Sequence, residues 1–220
     1  MHIFTTIIDW YMSNMNYLTI IILMAIESTF IPLPSELVIP PAAWMAAQGA
    51  SNMNIVLIVL FSAIGCTLGA LINYTLSIYL GRKIIYSLVE TKVAKLFFIN
   101  KAKLEHAEDY FRENGNTSTF IGRLVPGIRH LISIPAGLAK MNLKKFVLFT
   151  FMGSAIWNTV LALLGFFIAR LFPEVKTVTE LTAKVVEYNH EISYITIALG
   201  LIFVIYLVLK KRKKKNALNK

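Results

Sequence analysis

The chain has 220 residues, 56% of them hydrophobic and only 15% charged, where a soluble domain would be about a quarter charged. The formal net charge is +10, but seven of the 22 basic residues fall in 210–220, which leaves +3 for the rest. Together with a mean hydropathy of +0.64, this excludes a soluble domain and a nucleic-acid site. It predicts an all-α integral membrane protein whose basic tail lies on anionic lipid.

Residues 1–16 mix Asp9, Trp10, Tyr11 and Asn14 with apolar residues and read as an amphipathic interfacial segment; no removable signal peptide is expected. A first apolar run begins at Tyr17 and ends at Glu27-Ser28-Thr29-Phe30. Pro32, Pro34, Pro40 and Pro41 follow, around Ser35 and Glu36. Each proline removes a backbone donor and clashes with the preceding turn, so residues 30–48 cannot form one continuous helix. They are apolar enough to lie at membrane depth, which predicts a broken, re-entrant segment.

Residues 53–80 form a span bearing Gly65, Gly69 and Ala70, small residues that let helices approach closely, and it ends at Gly81-Arg82-Lys83. Residues 82–113 carry seven basic and five acidic residues and read as a cytoplasmic amphipathic region. Glu105, His106, Glu108 and Asp109 fit a solvated helix face better than a metal site, since no further ligands complete the set; no metal or cofactor is expected. Cys66, the only cysteine, excludes an internal disulfide and reads as a small core residue.

Asn114-Gly115-Asn116 reads as a loop, and 117–139 as a second broken segment. It holds Gly122, Arg123, Pro126, Gly127, Arg129, His130, Pro135 and Gly137 in an otherwise apolar run. Residues 146–170 form a further span, 173–191 a polar extracytoplasmic segment, 192–209 the last span and 210–220 the basic cytoplasmic tail. The distribution of basic residues sends the first broken segment in from outside and the second from inside. Met53-Asn54, Leu60-Phe61 and Gly65 recur as Met141-Asn142, Leu148-Phe149 and Gly153 at a constant offset of 88. The expected architecture over 17–172 is therefore an inverted repeat with two opposed re-entrant helical hairpins plus transmembrane helices.

If the two broken segments meet, Glu27 and Glu36 share a cavity with Arg123, Arg129 and His130. One reading is a structural ion pair that pins the two tips. The other is an anion site, since arginine presents a planar fork of donors suited to phosphate. An arginine at membrane depth is expensive unless satisfied, which favours the second reading. His130 fits a hydrogen-bonding or a proton-linked role equally well. Trp10, Trp44 and Trp157 read as interfacial or packing residues.

The chain resembles the DedA family, the bacterial members of the SNARE-associated Golgi or VTT-domain proteins. The resemblance rests on Glu27 with Pro32-Leu33-Pro34-Ser35-Glu36, on Tyr79-Leu80-Gly81-Arg82, and on Phe120 through Arg129; it continues through Pro135-Ala136-Gly137, Met141, Phe146, Gly153 and Trp157. Ile85 stands where the family often has a second glycine. The resemblance implies a membrane transporter that returns undecaprenyl phosphate, or a related polyprenyl phosphate, from the outer to the inner leaflet of the bacterial cytoplasmic membrane. Site residues carried over are Glu27, Glu36, Arg123 and Arg129. Proton coupling and a homo-oligomer are compatible with it. The alternatives are a proton-coupled transporter of small ions or drugs and a lipid phosphatase. The second is disfavoured because the chain has no Ser-Gly-His and does not space Arg123 and His130 as a phospho-histidine enzyme requires.

Overall fold

A computed structural model describes residues 10–29, 34–89, 101–125 and 127–188. Pro32, Pro126, the last span and the basic tail lie outside these residues. Every regular element among the described residues is helical.

Helix α1 (Tyr17–Glu27) starts where the Asn16 side chain accepts from the Thr19 N–H at 2.9 Å. Eleven residues rise only about 16 Å, so α1 alone does not cross a hydrocarbon core of about 30 Å. A 3-10 turn (Ser35–Leu37) leads into helix α2 (Ile39–Ala47), whose Pro40 and Pro41 sit in the first turn, where a missing N–H leaves no bond broken. Helix α3 (Ile55–Val89) breaks at Gly81, whose φ of 68° is open to glycine, as the sequence predicts for the end of that span. Helix α4 spans Lys101–Leu124, α5 Ser133–Leu138 and α6 Leu143–Leu171; residues 178–188 are also helical. Ile55–Gly81 and Leu143–Leu171 are long and apolar enough to cross a membrane.

The Met-Asn pairs of the sequence repeat have a structural meaning. Asn54 accepts from the Val56 N–H at 2.8 Å and Asn142 from the Lys145 N–H at 3.3 Å, so each asparagine caps a long helix. The short helices before them close alike. Gly49 and Lys140 both take positive φ, and the next N–H reaches back to Met45 O and Ala136 O, each at 3.0 Å.

The predicted loop at Asn114-Gly115-Asn116 is instead a distortion inside α4, at Asn114. Gly115 serves close approach rather than a turn, because a Cβ there would come within 3.3 Å of Met141 Sδ. Tertiary packing overrides the local turn signal.

Packing follows the small residues. Helix α1 lies on α3 at Gly65 and Gly69, and α4 lies on α6, where a Cβ on Gly153 would sit 2.7 Å from Arg123 Cβ. The short helices cross over: α2 packs on α6, with Gly165 against the Pro40 backbone, and α5 packs on α3, with Gly137 against Tyr74 and Ser77. The two long helices meet each other, with Trp157 and Leu161 in one core alongside Met24, Ile39 and Ile58. Leu18, Val56, Leu68, Ile72, Leu148 and Phe167 face outward, whereas Glu27, Asn73, Arg123, Arg129 and Asn158 are buried. An apolar exterior around a polar interior suits a bilayer, where lipid covers what water would reject.

Candidate functional site

Glu27 is the last residue of α1, where Ser28 and Thr29 end the helix by bonding back to it: the Ser28 N–H donates to Met24 O at 3.1 Å and Thr29 Oγ1 to Ile26 O. Its carboxylate is 1% exposed. Oε2 accepts from Ser28 Oγ at 2.9 Å and Oε1 from Arg129 Nη2 at 2.5 Å, a pair that joins residues 102 apart. A buried carboxylate is tolerated only when paired and hydrogen-bonded, and both conditions are met.

Arg129 is held on every side. The same Nη2 donates to Ser35 Oγ at 2.7 Å, its Nε points to His130 Nε2 at 3.5 Å, and its guanidinium lies 5.0 Å from the centre of the Trp157 ring. Trp157 Nε1 donates to the same Ser35 Oγ at 3.4 Å. Ser35 thus belongs to the first broken segment, Arg129 to the second and Trp157 to α6, and the three converge. Gly127, at φ +82°, turns the chain between α4 and Arg129. Asn73 of α3 donates to the carbonyls of Ser28 and His130 at 3.1 and 3.4 Å, tying the two segments together from behind.

Arg123 differs. It ends α4, is 2% exposed, and lies with its stem against Gly153. Nη2 donates to Ser133 Oγ at 2.9 Å and Nε has no hydrogen-bond partner. Among the described residues no carboxylate lies within ion-pair range of it. Gly122 beside it leaves room for Ile132, and Pro135 and Gly137 are buried in α5.

Of the residues expected at the site, Glu27, Arg129 and His130 come together, with His130 Nδ1 3.9 Å from Glu27 Oε1. Arg123 is buried in the same interior but bonded elsewhere. Glu36 is half-buried at the rim, its Oε2 3.5 Å from Ser35 Oγ, and Pro34 is exposed just before it. Sequence reasoning did not single out Ser35, Ser133, Asn73 or Asn158. The signal for the last two is a lone amide in an apolar helix; Asn158 Nδ2 donates to Ser62 Oγ at 2.9 Å and lies 3.8 Å from Cys66 Sγ. Trp157 does pack, as expected, and it also covers the arginine.

These features define a helical membrane protein with a buried, hydrogen-bonded charge cluster between two broken segments. The VTT domain matches residues 33–167, and the chain belongs to this family, which is the DedA family of the sequence resemblance. The "Alkaline phosphatase-like protein" of Lactococcus lactis subsp. lactis (strain IL1403) is 31% identical over 203 residues, covering 92% of this chain and 90% of the relative. "Undecaprenyl phosphate transporter A" of Staphylococcus aureus (strain NCTC 8325 / PS 47) is 28% identical over 211 residues, covering 94% and 98%. The protein of the same name in Bacillus subtilis (strain 168) is 28% identical over 206 residues, covering 94% and 93%. No solved structure matches. The VTT-domain match together with the transporter-named relatives supports a membrane transporter role.

Proposed function

We propose that this transporter moves undecaprenyl phosphate, or a closely related polyprenyl phosphate, from the outer to the inner leaflet of the cytoplasmic membrane for reuse in envelope synthesis. The observation that carries the reading is an excess of positive charge where the two broken segments meet: Arg123 and Arg129 are both buried there, and Glu27, the buried carboxylate described beside them, is paired with Arg129 and not with Arg123. Such a surplus calls for an anion, and the fork of a guanidinium matches phosphate. Arg123, Arg129, Glu27, Glu36 and His130 form the site in this reading. Pro32, Pro34, Pro126, Gly122, Gly127, Pro135 and Gly137 are the structural motif around them. Of those described, Pro34 and Gly127 lie at breaks in the helices, and non-helical backbone at membrane depth is tolerated where it lines a cavity.

The exchange of short helices between the halves supports an inverted repeat with two opposed re-entrant hairpins, the first entering from outside and the second from the cytoplasm. The C-terminus is then cytoplasmic, with the basic tail on anionic lipid. In this reading the cycle is proton-linked, with Glu27 and Glu36 as the carboxylates of the site.

The test is leaflet translocation of undecaprenyl phosphate by the purified protein in liposomes. Arg123→Gln and Arg129→Gln each slow it at least tenfold; equal rates in parent and variants refute the site. Proton flux that needs Glu27 but no lipid phosphate would instead establish a transporter of small ions. Release of inorganic phosphate would establish a phosphatase.

A further inference from the structure

The two arginines are not equivalent. Arg129 has its carboxylate, its hydroxyl and its aromatic cover. Arg123 is as deeply buried, yet it holds one hydroxyl, leaves Nε unpartnered and has no carboxylate within ion-pair range among the described residues, Glu27 being taken by Arg129. Thr150 lies on α6 one turn before Gly153, the residue against which the Arg123 stem packs. Its Oγ1 is also buried without a partner. Unsatisfied donors of this kind are costly in a protein interior, and an anion with several acceptor oxygens removes the cost.

We propose that Arg123 and Ser133, with Thr150 beside them, form the resting seat of a phosphate group, while Arg129 stays latched to Glu27, Ser35 and Trp157. The inference rests on the phosphate reading above and adds an order to it. The headgroup first enters a seat with one uncompensated positive charge. Only then does it compete with Glu27 for Arg129, which opens the latch between the two broken segments. The latch spans the first segment through Ser35 and the second through Arg129, so opening it removes their direct side-chain tie and leaves the Asn73 bonds to Ser28 and His130 as the hinge between them. The ligand chemistry is a phosphate monoester or free phosphate, either of which supplies the charge and the acceptors.

The test uses the full chain in nanodiscs, titrated calorimetrically with farnesyl phosphate and separately with inorganic phosphate, alongside the translocation assay. Arg123→Gln weakens phosphate binding about tenfold or more, and Ser133→Ala about fivefold, the values for a charged and a neutral hydrogen bond. The double variant Glu27→Gln/Arg129→Gln removes the latch as a pair. It no longer translocates, and its phosphate binding falls by clearly less than that of Arg123→Gln, since the lost bonds lie outside the seat. If Arg123→Gln does not fold, Arg123→Lys and Ser133→Ala carry the test; the lysine keeps the charge but loses the fork and binds more weakly than the parent. The proposal is overturned if the double variant loses binding as deeply as the Arg123 variant, or if Ser133→Ala binds like the parent. A parent that translocates lipid while all variants bind equally refutes the seat and spares the lipid reading. A parent that binds inorganic phosphate at Arg123 but not farnesyl phosphate keeps the seat and refutes the lipid reading.

Discussion

Removing both partners of the Glu27–Arg129 pair costs less than the two single losses added together. Arg129→Gln leaves Glu27 1% exposed with Ser28 as its one remaining hydroxyl donor, and it strips Ser35 and Trp157 of the guanidinium they share. Breaking a buried pair from one side costs about 3–5 kcal/mol. Glu27→Gln leaves Arg129 its bond to Ser35 and its place on Trp157, so its cost is smaller, about 1.5–3 kcal/mol for one charge-assisted hydrogen bond. The double variant leaves two neutral amides able to bond each other, and its cost falls below the sum by about 2 kcal/mol or more, within the range of directly coupled residues. Cys66 reports on this, because it is the only cysteine, is buried, and lies in the same interior. Alkylation of Cys66 in detergent-purified protein follows the open population when opening and closing are fast. A loss of 3 kcal/mol raises that population roughly 150-fold, so Arg129→Gln reacts about two orders of magnitude faster than the parent, and the double variant falls well short of the product of the two single effects. Single variants that react at the parental rate, or two single effects that simply add in the double variant, would refute a tight buried pair.

Three further outcomes test the packing and the caps. Gly165→Val drives a side chain into the Pro40 backbone, and Gly137→Val does the same at Tyr74, so each costs about 1–3 kcal/mol, read by thermal unfolding in detergent. Lys140 is the only non-glycine with positive φ among the described residues, and Lys140→Gly relieves it, raising stability by about 0.5–1 kcal/mol. The Lys176 and Thr177 N–H groups donate to Glu180 at 2.8 and 3.2 Å and hold its carboxyl below the ordinary carboxylate range. A depressed folded value means the cap is fully present above the ordinary value and is lost as pH falls through the folded one, so protection from hydrogen exchange at 177–181, measured against the intrinsic rate at each pH, falls at acidic pH in the parent and is lower without that pH dependence in Glu180→Gln.

The elements most legible in the sequence were those whose signals are covalent. Prolines at 40 and 41 locate the start of α2, Gly81 locates the break in α3, and Met-Asn marks two helix starts because asparagine caps them. The Asn114-Gly115-Asn116 signal misled because the same glycine that permits a turn also permits a close contact, and only the position of Met141 decides between the two. At the site, residue types showed that acids and bases meet, but not which arginine takes the acid. That choice depends on the turn at Gly127, which brings Arg129 to Glu27 while Arg123 remains in the last turn of α4 facing Ser133. Ser35 and Ser133 escaped notice because a single serine in an apolar stretch is common and acquires meaning only from its neighbours in space.

A structural pin and a transport site make different demands on charge. A pin needs equal numbers of opposite charges, and Glu27 with Arg129, Ser28 and Ser35 already meets that need. Arg123 adds a second buried guanidinium that pins nothing to an acid; its one bond is to Ser133, which a neutral side chain would serve at far less cost in desolvation. The pair alone therefore does not separate the two readings, and Arg123 does. Replacing Glu27 and Arg129 together by Met keeps an apolar contact between the segments, and if the site were only a pin the protein would remain stable and lose nothing else. Replacing Arg123 by Met removes an uncompensated charge and stabilises the protein, yet it abolishes phosphate binding. A variant that gains stability as it loses its ligand is the signature of a residue kept for binding, because the cost borne by the empty site is what the anion relieves.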